Sequence, residues 1–192
     1  MTAITLDLHS IVDLTDEQFY KLCQANPDVK LETNAKGKLI IVPPTGGNTG
    51  RRNIKISTQL ENWSSQNNLG VAFDSSTEFK LPKGGNRSPD AAWVHMERWE
   101  ALTEEEQDTF PPICPDFVIE LRSPSDRLAP LQAKMQEYLD GGLGLGWLID
   151  PKNKQVEIYR QGQVMEVLQS PTTLSGEDVL PRFVLDLSKI FS

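Results

Sequence analysis

Two cysteines in 192 residues cannot build a disulfide framework, and the two histidines beside them leave no zinc-type spacing. Cys23 and Cys114 therefore read as packing residues. No apolar run approaches the ~20 residues that a membrane-spanning helix needs. The opening MTAITLDLHS lacks the basic start and apolar centre of a signal peptide, so the expected location is cytoplasmic. Positive charge is also short. Nineteen Lys and Arg face 27 Asp and Glu, for a formal net charge of −8. Strong, indiscriminate binding to nucleic acid needs many phosphate-neutralising contacts, and this balance argues against it. A local basic groove, or a site where a bound cation supplies the positive charge, stays open.

What is present suits one soluble domain spanning residues 1–192, with 38% hydrophobic and 24% charged residues. LTDEQFYKLCQAN predicts a helix, with Thr15 and Gln18 at capping-box spacing. VKLET and KLIIV predict a hairpin around Ala35-Lys36-Gly37. A longer helix is predicted from about Asn48 to Asn68, with Ile56, Leu60 and Trp63 on one face. VAFDSS, TEFKL and PDAAWV read as strands, and Thr103 with Glu106 caps a short helix. PDFVIEL is another strand. APLQAKMQEYL is a helix with Pro130 in its first turn, ended by Gly141-Gly142. LGWLID, QVEIYR and VMEVL close the chain as strands. The pattern is mixed α/β, and its consecutive hairpins argue against a purely parallel, doubly wound sheet.

Within PDFVIELR a lone carboxylate interrupts an apolar run. Side chains alternate along a strand, so Phe117, Ile119 and Leu121 share one face while Val118, Glu120 and Arg122 share the other. A buried carboxylate is costly unless something pairs with it. Asp90, at the head of another apolar run, shares a face with Ala92 and Val94. If the two strands pair, Asp90 and Glu120 converge on one side of the sheet, where a cation or a proton must relieve their repulsion. A hard divalent cation such as Mg²⁺ suits such oxygen ligands. A structural reading stands beside this one. Glu120 and Arg122 form a partly exposed ion pair, and Asp90 caps a turn.

Pro89-Asp90, followed thirty residues on by Glu120-Leu121-Arg122, resembles the PD-(D/E)XK signature of restriction-endonuclease-like nucleases. FDSS, RSPDAAWV, RWEALT, CPDFVIELRSPSD, KMQEYL, GWLIDP and LSGEDVLP are similar, in order, to one branch, the endonucleases called Uma-two. The resemblance implies a central mixed sheet flanked by helices and metal-dependent hydrolysis of DNA phosphodiesters, with Mg²⁺ or Mn²⁺ as cofactor. It implies Asp90, Glu120 and the Leu121 carbonyl as metal ligands, and a homodimer.

The chain departs from the signature at Arg122, which holds the lysine position. Arginine stays protonated and cannot act as a base, but it can hold a phosphate. Lys134, with Tyr138 one turn on, is a substitute for the missing lysine or else a solvated helix residue. Gln132 is a weaker candidate. Glu61 is a candidate third acid on the long helix, and Asp74 a candidate neighbour of the site. Arg51-Arg52 could meet a phosphate at a helix start. Pro115-Asp116 is a second PD, read as a turn or strand-end pair. Trp93, Trp99 and Trp147 read as core residues. Two other functions stay open: a catalytically silent DNA- or protein-binding module on the same fold, and nuclease chemistry on RNA or a small nucleotide.

Overall fold

The computed structural model describes residues 2–192. The chain runs through β1 (Ile4–Leu6), α1 (Asp16–Ala25), the hairpin β2 (Lys30–Thr33) and β3 (Leu39–Val42), and the long helix α2 (Gly47–Asn67). Strands β4 (Gly70–Asp74), β5 (Phe79–Lys80), β6 (Asn86–Arg87) and β7 (Ala91–His95) follow. Short helices α3 (Met96–Glu100) and α4 (Glu104–Asp108) lead to β8 (Phe117–Leu121) and α5 (Leu128–Gly141). The chain closes with β9 (Leu145–Asp150), β10 (Gln155–Arg160), β11 (Glu166–Gln169), β12 (Thr173–Ser175) and β13 (Val184–Asp186).

Local chemistry sets several boundaries. Thr15 Oγ1 accepts from the Gln18 N–H at 3.2 Å, and the Gln18 side chain accepts from the Thr15 N–H at 2.9 Å, so α1 starts with a reciprocal cap. Gly37, with φ at 71°, makes the β2–β3 turn, and left-handed Asn68 and Gly142 end α2 and α5.

The larger sheet has the order β11-β10-β9-β8-β7-β4. Its one parallel pair is β8 with β9, and all other neighbours are antiparallel. A parallel pair needs a crossover, and α5 provides it. Alternation along β8 then divides the core. Phe117, Ile119 and Leu121 pack with Trp93 and Trp147 against Ile56, Leu60 and Trp63 of α2, and the C-terminal segment adds Phe183 and Leu185. Ile56 and Leu60 are fully buried, and each such side chain contributes roughly 1.5–3 kcal/mol. Val118, on the opposite face, packs with Ala92, Leu148, Met135 and Tyr138 beneath α5. A smaller sheet, ordered β1-β3-β2-β6-β5, rests on α1 through Phe19, Leu31 and Leu39. The result is mixed sheets flanked by helices.

Sequence pattern misses β1, β6, β12, β13 and α3. These elements have five residues or fewer, and pairing with distant chain defines the strands. β6, for instance, joins β2 by Thr33 opposite Asn86. PDAAWV becomes a strand only from Ala91, so Asp90 occupies the bend just ahead of β7. Trp93 and Trp147 lie in the core, with Trp99 packed at its margin.

Candidate active site

Glu120 is buried on the α5 face of β8, and its carboxylate is not alone. Lys134 Nζ lies 2.8 Å from Glu120 Oε1, and the Tyr138 hydroxyl donates to the same oxygen at 3.0 Å. Residues four apart on a helix stack on one face, which is how α5 presents both groups to one strand residue. Lys134 also donates to Glu32 Oε1 at 3.1 Å and to the Ser88 carbonyl at 2.9 Å. An ammonium has three donors, and all three are engaged. Burial alone would lower the Lys134 pKa, but Glu120 and Glu32 override it and raise the pKa. The network continues outward. Arg87 donates to Glu32 Oε2 at 3.0 Å and to Glu137 Oε2 at 2.7 Å. Thus β2 and β6 of the smaller sheet, α5, and β8 of the larger sheet are tied by one set of charges.

Asp90 approaches from the other neighbour of β8. Its Oδ2 accepts from the Leu121 N–H at 2.7 Å, and its Oδ1 accepts from Asn53 Nδ2 of α2 at 2.8 Å. Beyond the end of the β7 ladder, Asp90 thus satisfies the strand edge next to Glu120. A strand residue turns its N–H and C=O toward the same neighbour, so the Leu121 carbonyl faces this edge too. Burial raises the Asp90 pKa, opposed by the Leu121 N–H and by Lys134 and Lys30. Burial likewise pushes Glu120 up to about 7; Lys134 opposes this, while Asp90 and Glu32 add to it. Two buried carboxylates with raised pKa, one of them, Glu120, pushed further by its acidic neighbours, describe a place where a cation is favoured. Asn53 Oδ1 is a further oxygen here, buried and without a hydrogen-bond partner among the described residues.

The other sequence candidates fall elsewhere. Arg122 is not brought to Glu120. It pairs with Asp150 at 2.6 Å and donates to the Asp126 carbonyl at 3.1 Å, because the chain turns away after β8. Gln132 donates to Glu157 at 2.8 Å. Glu61 is exposed and accepts from Ser65 one turn along α2. Asp74 accepts the N–H and hydroxyl of Ser76 in a turn. Arg51 and Arg52 donate to carbonyls at the C-terminal end, among them Ile190 at 2.6 Å. Asp116 holds the start of β8 through Arg98 at 2.6 Å and the His95 N–H at 2.8 Å. Both cysteines are free, and burial pushes their thiols up to about 12. Among the described residues, no group of three or more His, Cys, Asp or Glu could hold a metal ion.

Glu32, Arg87, Glu137, Asn53 and Glu78 are missed by sequence reasoning. Glu32 gave no such signal, because Leu31 is the one apolar residue of KLET and the burial of Glu32 comes from tertiary packing. Glu78 is buried, with Oε1 unpartnered among the described residues, and burial pushes it up to about 8. Glu32 adds to that rise, while Lys30, Lys134 and Arg87 oppose it. Its folded pKa therefore exceeds that of the unfolded chain. The native state holds the extra proton, and stability falls as pH rises from about 4.5 toward about 8. Glu78→Gln is expected to reduce this slope and to raise the melting temperature at pH 9 by an amount worth a few kcal/mol at most, since one pKa unit is about 1.4 kcal/mol. Asp90 and Glu120 shift in the same sense, so part of the slope remains. Melting curves from pH 5 to 9 measure this; parallel curves for both proteins would contradict it.

Comparison with known proteins agrees with this architecture. One solved structure, described as "a putative nuclease belonging to DUF820" from Anabaena variabilis, superposes with a TM-score of 0.78. The likeness covers 93% of this chain and 97% of that one at 23% identity, so it speaks to fold. No curated protein matches the chain. A family model, Uma2, described as "Putative restriction endonuclease", matches residues 16–188. That span includes Asp90, Glu120, Lys134 and the whole network around them, and the chain belongs to the Uma2 family of restriction-endonuclease-like proteins.

Proposed function

We propose that the chain is a divalent-metal-dependent DNA nuclease acting as one restriction-endonuclease-like domain, with Asp90 and Glu120 as its acid pair. The observation that carries this reading is the convergence of both acids on the end of β8, with a buried lysine 2.8 Å from Glu120. The donor set fits a hard cation such as Mg²⁺ or Mn²⁺: two carboxylates, the Leu121 carbonyl and the unpartnered Asn53 Oδ1 are all oxygens. Such an ion, when bound, lowers the pKa of water and stabilises charge on phosphoryl oxygens.

The protein's own groups do the rest. Lys134 is protonated with every donor engaged, so it serves as a fixed positive charge and not as a proton acceptor. It orients the Glu120 carboxylate, and Tyr138 restricts the same oxygen from a second direction. Asn53 and the Leu121 N–H hold both oxygens of Asp90, leaving remaining lone pairs to face the cation. Arg122, paired with Asp150, braces the turn after β8. A homodimer is the assembly that the family resemblance implies.

The test is incubation of mixed-sequence DNA with the protein and Mg²⁺ or Mn²⁺, beside Asp90→Ala. Cleavage by the native protein, absent with Asp90→Ala and in EDTA, is the expected result. Equal cleavage by both proteins would remove the acid pair from the reaction. DNA retained but uncut under every metal would point instead to a silent binding module.

A further inference from the structure

A phosphodiester is an anion, and the site it must enter is rich in carboxylates on a protein of net charge −8. Some cation must offset this, yet those nearest the acids are already neutralised. Lys134 lies between Glu120 and Glu32, Arg87 lies between Glu32 and Glu137, and Arg122 is held by Asp150. Lys30 differs. It begins β2 two residues before Glu32, so strand alternation puts both side chains on the same face. Its Nζ donates to the Ser75 carbonyl at 2.9 Å, and among the described residues no carboxylate pairs with it within 4.0 Å.

That carbonyl is tied to the site. Ser88 Oγ donates to it at 2.9 Å, and the Ser88 carbonyl in turn accepts from Lys134 at 2.9 Å. Lys30 and Lys134 are therefore linked through Ser88, two residues ahead of Asp90: Lys134 holds its carbonyl, and its hydroxyl shares the Ser75 carbonyl with Lys30. Lys30 and Asp90 are both only partly buried, whereas Glu120 and Lys134 are deep. The charge of Lys30 acts on Asp90, Glu32 and Glu78 alike. One donor of its ammonium is used on Ser75, which leaves two for an incoming oxygen anion.

We propose that Lys30 is the phosphate-binding residue of this site, donating to a non-bridging oxygen of the substrate phosphodiester as it meets Asp90 and Glu120. This deepens the nuclease reading and rests on it. Lysine holds phosphate as a point charge, so the role asks for charge and reach more than for a forked geometry. The position that the family signature gives to lysine, Arg122, is thus replaced by two cations from outside the motif. Lys134 holds the acid, and Lys30 holds the substrate.

The experiment uses the full chain with Lys30→Met and Lys30→Arg. Binding of a short DNA duplex is followed by fluorescence anisotropy in Ca²⁺ across a salt series, and cleavage is followed separately in Mn²⁺. Lys30→Met is expected to raise Kd about tenfold and to flatten the log Kd against log salt slope by about one, the mark of one lost phosphate contact. Lys30→Arg should recover most of both. A lysine that merely braces Ser75 would lower the melting temperature of Lys30→Met and leave Kd and the salt slope of the folded protein unchanged. That result, with native protein that binds and cuts, would overturn the role of Lys30 and leave the nuclease reading standing. Native protein that neither binds nor cuts DNA would overturn both.

Discussion

Glu120→Gln is expected to abolish metal-supported cleavage while the protein stays folded. Even partners one step removed from a metal commonly count for 10–100-fold, so if Glu120 is the ligand proposed above, its loss should exceed roughly 100-fold. The structural consequence runs the other way. Burial pushes the Glu120 carboxyl up to about 7, so the native state holds a proton that the unfolded chain has released. That difference erodes stability as pH rises from about 4.5 to about 7. Gln keeps the shape and cannot ionise, and Lys134 retains Glu32 and the Ser88 carbonyl. Its melting temperature at pH 8 should match or exceed that of the native protein. Mn²⁺ adds a readout independent of turnover. At 100 times its Kd, a bound ion stabilises the native protein by about 2.7 kcal/mol, and the variant should show far less of this shift. A folded Glu120→Gln protein that cuts DNA at the native rate would remove Glu120 from the mechanism.

The sequence made Glu120 legible because an acid amid Val118, Ile119 and Leu121 breaks a local pattern, and alternation assigns it a face without any structure. The caps at Thr15 and Thr103 were legible for the same reason, since their partners lie within four residues. Lys134 was only half legible. Its spacing to Tyr138 put both on one helix face, but a lysine on an amphipathic helix more commonly faces water. What buries it is Glu32, 102 residues away in sequence, and no periodicity reports that pairing. Arg87 gave less still, because its strand has two residues and lies in a Gly- and Ser-containing stretch that reads as a turn. Arg122 misled through its place in the motif. The Glu-x-Arg spacing is present, but the guanidinium follows the chain away to Asp150. Local pattern therefore singled out Asp90 and Glu120, while Glu32 and Arg87, which complete the charge network around Lys134, come from elements joined only by the tertiary fold.

Arg87→Met should be among the most destabilising single changes outside the apolar core. Arg87 is 5% exposed and joins Glu32 of β2 to Glu137 of α5. Burial favours its neutral form, yet Glu137 and Glu32 hold its pKa above the ordinary value, so the charge is fully neutralised in place. Removing one partner from a buried ion network leaves uncompensated charge and typically costs about 3–5 kcal/mol. For a chain of this length that corresponds to a fall in melting temperature of roughly 10 °C. The loss arises from the stranded carboxylates more than from the missing contacts. Adding Glu32→Gln to Arg87→Met removes one stranded charge, and the double variant should therefore melt above the single one. Such recovery would show that the carboxylates need the arginine, which a plain packing defect cannot produce. A single variant melting within about 1 °C of the native protein would mean that the smaller sheet is held by its contacts with α1 and α5 alone. The same double variant also reads the site. Without Glu32 the ammonium of Lys134 relies on Glu120 and Ser88, so a cation that draws Glu120 away should loosen Lys134. Metal affinity should then fall relative to that of the native protein even where the melting temperature has recovered.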